Sequence, residues 1–441
     1  MPAPSPAGEP SVKTATAVSP TPTASAQAAP PPPGPTLPGR GGVFAPFALA
    51  NYRWYFFIGL CISSSFGMQS LAFSWLMYEL TGKPVLVGLN LLAQAVPQIC
   101  LAFVGGVVAD RFSKRIIMMC TFTVMGSIYL IIGIAQVAGI LTWPWLAAAS
   151  FGMGGVTSFQ MPSRQGIVSQ LVGRERLTAA IALNQANMNV TQLAAPAAAG
   201  MLIATNGIGA VFFAMAALCY VAVFGLIPMR YSEVRSKSRM TVKSMFANLV
   251  EGLKYVQKNV NVKNILVLSM LGALFAMPYT VLLPVLAKDV LHADAQRLGF
   301  LLSASGVGAL LGSLLMVAAG KRKRGLLLIH TAFVSGLALV SLSLSPWYSL
   351  TFITMAVLGV ANSARMTLPN ILIQSYSEDA YIGRVLSLLL LQFGIISVGG
   401  FGMSVVAQVI GVQWALLITA VCLIATALWY YRFSTSMKSL A

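Results

Sequence analysis

From residue 54 to residue 431 the sequence is a succession of uninterrupted apolar stretches of about twenty residues, separated by short breaks that carry most of the Lys and Arg. About twenty apolar residues wound as an α-helix cross a hydrocarbon core roughly 30 Å thick. Lipid offers no partner to a backbone N–H or C=O, so only helices and closed barrels span it. A barrel strand would alternate apolar and polar over about ten residues, and no such alternation is present. Only 9% of the residues are charged, against roughly a quarter in soluble domains.

The stretches fall at 54–78, 85–109, 116–138, 143–163, 178–203 and 208–228, and again at 264–287, 298–320, 325–344, 347–368, 384–410 and 412–431. The sequence thus predicts an all-α membrane protein with twelve transmembrane helices in two pseudo-symmetric six-helix bundles, 51–228 and 264–433. Between them, 229–263 reads as a cytoplasmic linker. Its segment 242–258 has an apolar side (Val242, Met245, Phe246, Leu249, Val250, Leu253, Val256) that fits an amphipathic helix at the membrane face. Residues 1–50 read as a disordered Pro/Ala-rich cytoplasmic tail without a cleavable signal, since twelve of the 23 prolines lie in the first 42 residues. Residues 434–441 read as a short cytoplasmic tail.

Cytoplasmic loops carry the excess of Lys and Arg. With both termini cytoplasmic, the inner turns hold Arg111, Lys114, Arg115, Arg164, Arg174 and Arg176, the linker cations, the run 321–324, Arg365, Arg384, Arg432 and Lys438. The outer turns hold only Lys83, Lys288 and Arg297. The net charge of +18 is therefore read as topology rather than as a nucleic-acid surface. The five cysteines lie in apolar runs with no CxxC pair, which predicts neither disulfide nor metal site.

The most specific segment is 105–115, with Gly106, Asp110, Arg111, Lys114 and Arg115 at the inner end of the second helix. A glycine there admits another helix, and an aspartate suits the positive N-terminal end of a neighbour. The segment resembles the loop motif of the major facilitator superfamily. With Trp75, Tyr78, Glu79 and Gly82 closing the first helix and Pro162, Ser163, Arg164 and Gln165 closing the fourth, residues 51–431 are similar to the enterobactin-exporter and macrolide-efflux branch. The resemblance implies a gate contact between the motif and helix eleven, which makes Gly383 and Arg384 the partner. The sequence departs from the branch at Gln192 and Ala195 before Pro196, where an arginine and a glycine are common.

No acidic residue lies in the middle of a helix, so proton coupling falls to Glu79, Asp110 or Asp289 at helix ends. The substrate cavity is expected among neutral polar and soft groups near the midplane: Ser65, Gln69, Gln94, Gln98, Asn184, Met188, Gln192, Asn362 and Gln392. Each of these also suits a hydrogen bond between helices. Pro97, Pro196, Pro278 and Pro284 are expected to interrupt helices two, five and seven. Neither a convergent catalytic set nor a GxxxxGK[ST] loop is present. The expectation is a cell (inner) membrane secondary transporter, not an enzyme. It is monomeric, without cofactor, and performs proton-coupled efflux of a small amphipathic, drug-like or siderophore-like molecule. Uptake on the same fold is the alternative.

Overall fold

The computed structural model describes Met1 and residues 44–229, 242–318, 323–434, 437, 438 and 440. Among these residues there are fourteen α-helices, one 3-10 turn and no strand. The turn Ala45–Ala48 leads into α1 (Ala50–Thr81), followed by α2 (Pro84–Arg111), α3 (Lys114–Val137), α4 (Trp143–Asn206) and α5 (Ile208–Leu226). Then come α6 (Val242–Lys258), α7 (Val260–Ala276), α8 (Tyr279–Asp289), α9 (Ala295–Ala318) and α10 (Arg324–Leu344). The chain ends with α11 (Tyr348–Tyr376), α12 (Asp379–Leu390), α13 (Gln392–Ile410) and α14 (Val412–Phe433). Among the described residues, nine segments are long and apolar enough to cross a bilayer, with α7–α8 and α12–α13 each making one segment.

Several boundaries differ from the sequence expectation. Residues 44–50 are not part of a disordered tail: Phe47 packs edge-on against Tyr52 and Phe56, with ring centroids 5.6 and 4.9 Å away, while residues 2–43 lie outside the described set. The expected loop between 163 and 178 is helical, so α4 runs for 64 residues and breaks only at Gly173 (φ 68°, ψ 174°). Leu171, Glu175, Arg176 and Leu177 around that break are good helix formers, and a side chain at the positive φ of Gly173 would be strained. Pro97, Pro196 and Pro284 sit inside continuous helices. Only Pro278 marks an interruption, between α7 and α8. Membrane helices tolerate proline where neighbouring groups satisfy the freed carbonyls.

α6 ends at Lys258 as expected and is followed by Asn259, whose side chain accepts from the Val262 N–H at 3.2 Å and caps α7. At the C-terminus, Met437 and Leu440 are buried, and the Gly325 N–H donates to the Leu440 carbonyl at 3.3 Å.

α2 packs on α4, α3 on α5, and α1 on both α4 and α5. Further along the chain, α9 packs on α11, and α10 on α11 and α14. The pairs α4–α9 and α2–α13 join the first set to the second. The α2–α4 approach is very close at Gly105, where a Cβ would stand 2.1 Å from the Ser158 carbonyl oxygen. Gly105→Val is therefore expected to cost at least about 1–3 kcal/mol, as overpacking does, and to lower the melting temperature of the purified protein by several degrees. An unchanged melt would mean that the two helices can part freely.

Candidate transport site and its gates

The two helix sets are clasped at the end where α1 finishes and α2 begins. The Tyr78 hydroxyl donates to Asp289 Oδ2 at 2.5 Å, and Lys288 Nζ stands 5.7 Å from the Tyr78 ring centre. Ser303 Oγ on α9 donates to the Leu193 carbonyl on α4 at 2.6 Å. Nearby, a Cβ on Gly299 would lie 2.5 Å from the Pro196 carbonyl oxygen. A Cβ on Gly88 of α2 would overlap Ser404 of α13. Small residues let these backbones close on one another.

At the opposite end the expected gate residues have other neighbours. Among the described residues, no atom lies within 4 Å of where a Cβ on Gly106 or Gly383 would be. Asp110 is half-buried and Arg111 exposed at the end of α2. The stem of Lys114 closes over Gly166, where a Cβ would meet its Cε at 2.8 Å. Arg115 Nη2 donates to the Ile227 carbonyl at 2.6 Å, a cation on the negative C-terminal end of α5. Arg384 is engaged with the linker helix instead of the motif. Its Nη1 meets Glu251 Oε1 at 2.8 Å, its guanidinium lies 5.1 Å from the Tyr381 ring centre, and Tyr255 of α6 stacks on Tyr381 at 4.3 Å.

The nine expected cavity residues divide. Ser65 and Gln69 are buried between helices: Ser65 Oγ is 3.6 Å from Cys219 Sγ on α5, and Gln69 Oε1 accepts from the Tyr129 hydroxyl on α3 at 2.9 Å. Gln392 is buried, with Nε2 3.9 Å from Met366 Sδ. Asn362 Oδ1 accepts from Arg365 Nη2 at 2.9 Å. Gln94 and Gln98 are half-buried on α2, and Ser158 Oγ donates to the Gln98 carbonyl at 3.0 Å. Asn184 is half-buried, while Met188 and Gln192 are exposed one and two turns further along α4. These last five are half-buried or exposed. Of the acidic candidates, Glu79 is exposed and Asp289 is held by Tyr78.

Arg164 and Arg365, assigned to inner turns, lie well inside helices. Arg164 lies before Gly173 in α4, about two and a half turns from it, with Nη2 donating to Ser63 Oγ at 3.1 Å, and the Tyr55 hydroxyl donates to its carbonyl at 3.3 Å. Arg365 lies three turns before the end of α11 and is 5% exposed. A cation near the end of an apolar run looks like a loop residue, and only the continuation of each helix past it corrects the assignment. After Arg164 no Gly or Pro but Gly166 appears for two turns, a signal for continued helix, whereas Pro369 follows Arg365 by about one turn and is nonetheless carried inside α11.

The profile of transmembrane secretion effectors matches residues 41–439. The chain belongs to that family, a group of major facilitator transporters. The assignment bears out the resemblance read from 105–115. Among the relatives, the staphyloferrin A transporter of Staphylococcus aureus (strain NCTC 8325 / PS 47) is 22% identical over 83% of this chain and 92% of its own length. The enterobactin exporter EntS of Shigella boydii serotype 4 (strain Sb227) is 26% identical over 84% of this chain and 90% of its own. The fold is that of solved transporters. A bacterial homologue of the human lysosomal transporter Spinster, inward-facing and unoccupied, superposes with a TM-score of 0.67 at 13% identity, covering 86% of this chain and 96% of that one. The nucleoside transporter NupG superposes with a TM-score of 0.68 at 12% identity, covering 89% and 100%.

Proposed function

We propose that this transporter exports a small siderophore-like or drug-like molecule across the cell membrane, driven by the proton gradient. The observation that carries the reading is the asymmetry between the two ends: clasped by Tyr78–Asp289 and Ser303–Leu193, unpacked at Gly106 and Gly383. A cleft closed at one end and open at the other is one half of an alternating-access cycle.

In this reading the chain crosses the bilayer twelve times, in two similar six-helix bundles at 51–228 and 264–433 joined by the linker 229–263. At about 1.5 Å per residue, the 64 residues of α4 extend far beyond one membrane thickness, so its two arms on either side of Gly173 are two crossings. Together with α11 they bring the nine apolar segments to twelve. The basic turns put the Asp110 end and both termini in the cytoplasm, which makes this conformation inward-facing. Gln94, Gln98, Asn184, Met188 and Gln192 offer the cavity surface, and the protein works as a monomer. Asp289 is the favoured proton carrier, because protonation removes the anion that Tyr78 clasps.

The names of the relatives supply the substrate class and favour export. Everted membrane vesicles carrying the protein are expected to accumulate enterobactin or staphyloferrin A several-fold over empty vesicles while their interior is acidic, and to lose the gain when an uncoupler is added. Accumulation confined to right-side-out vesicles would assign the protein to uptake instead.

A further inference from the structure

The linker helix α6 lies across the turn that joins α11 to α12, the part of the second helix set expected to receive the Asp110 motif. Glu251 Oε1 meets Arg384 Nη1 at 2.8 Å. One residue on, α6 runs against α12 itself: a Cβ on Gly252 would stand 3.2 Å from both the Cβ and the carbonyl oxygen of Arg384. The Tyr255 ring stacks on Tyr381 at 4.3 Å, and its hydroxyl accepts the Glu378 N–H at 3.1 Å, where α12 begins. Just past the end of α6, Asn259 Nδ2 donates to the Tyr376 carbonyl, the last residue of α11, at 3.4 Å.

Residues 251, 252, 255 and 259 recur at helical spacing, so one face makes all of these contacts. The attachment is polar and shallow. The Arg384 and Glu251 side chains are 29% and 48% exposed, and an ion pair this wet is weak and screened by salt. Val250 and Leu253 of α6 are half-exposed and add little to it. Contacts of this kind form and break within a transport cycle. They also occupy what the motif needs. When Asp110 comes to the start of α12, it meets a guanidinium whose charge Glu251 already neutralises, and a second carboxylate beside the first is repelled.

We propose that α6 is a latch: docked as here it holds the Asp110 end open, and it must leave Arg384 before that end closes. The inference rests on the reading that the Asp110 end closes against α12, but on neither the substrate nor the direction of transport.

The test measures the opening directly in full-length protein in lipid nanodiscs, with neither substrate nor proton gradient. Spin labels are placed on Ile116→Cys and Ser375→Cys, exposed positions at the Asp110 end of the two helix sets, after the five native cysteines have been replaced. Two separations are expected, a long one for the open end and a short one for the closed end. Glu251→Gln and Tyr255→Ala, changes on the exposed side of the fold, are each expected to raise the share of the short separation several-fold. Added salt, which needs no latch variant, is expected to raise that share in the latched protein and to move Glu251→Gln far less. Two separations whose shares change with neither variant nor with salt mean that α6 travels with α12, and they overturn the latch alone. A single long separation under every condition, in both variants and at high salt, overturns the latch together with the closure on which it rests.

Discussion

Asp110→Asn is expected to slow transport on the order of tenfold or more while leaving the protein folded and inserted. In the conformation described here the carboxylate is half-buried at the end of α2, and among the described residues no atom lies within 4 Å of where a Cβ on Gly106 would be. Removing its charge therefore takes little from this state. In the proposed cycle, the state it serves is the one in which the Asp110 end closes against α12. That helix begins at Asp379 behind Glu378, which makes no side-chain cap, and its N-terminal end carries the positive pole of the helix dipole. A carboxylate on a helix N-terminus contributes up to ~2 kcal/mol in a partly buried setting, and each 1.4 kcal/mol is about tenfold in population. Asparagine keeps the shape and loses the charge. Closure must also carry or release α6, since Arg384 of α12 is paired with Glu251. The initial rate of vesicle accumulation and the melting temperature, measured on the same preparation, separate the outcomes. A wild-type rate in Asp110→Asn would remove Asp110 from the gate.

The membrane helices were legible because lipid imposes length: a run of apolar residues sufficient to cross it leaves few alternatives. The linker helix was legible for another reason. Its apolar residues recur with the helical period, and the helix ends at Lys258 as the period predicts. Positions where two distant segments meet were not legible. Gln69 finds Tyr129 and Ser65 finds Cys219, partners supplied by helices that the period of α1 cannot reveal. Arg365 reads as a loop cation until α11 is seen to continue to Tyr376. The prolines misled in the opposite direction: proline disfavours helix in water, but Pro97 and Pro196 leave α2 and α4 unbroken. In the motif, Gly106 was expected to be the close-packing glycine. In this conformation Gly105 takes that part against Ser158, and Gly106 faces open space, available to a helix arriving in the other half of the cycle.

Gly299→Leu is expected to abolish transport by keeping the Tyr78 end from sealing. A Cβ at 299 would stand 2.5 Å from the Pro196 carbonyl oxygen and 3.2 Å from Gly200 Cα. These are backbone atoms of α4, so no rotamer change relieves the overlap, and α9 must move away. The movement also takes Ser303 Oγ from the Leu193 carbonyl, now 2.6 Å distant. Overpacking of this kind costs about 1–3 kcal/mol. Here the cost falls on conformations in which α4 and α9 touch at this end, and not on those in which they are parted. A difference of 1–3 kcal/mol shifts such an equilibrium by about 5- to 150-fold. The protein is thereby held open at the Tyr78 end, and a cycle that requires each end to close in turn stops. A reporter for the shift is Met188→Cys in a background from which the five native cysteines have been replaced, since Met188 is exposed on the α4 face below the contact. Labelling of that thiol by a membrane-impermeant reagent added outside cells is expected to rise several-fold when Gly299→Leu is introduced. Ser303→Ala, which removes one hydrogen bond and adds no bulk, is expected to raise it far less. If external labelling stays at background and transport continues, the α4–α9 contact does not seal the cleft.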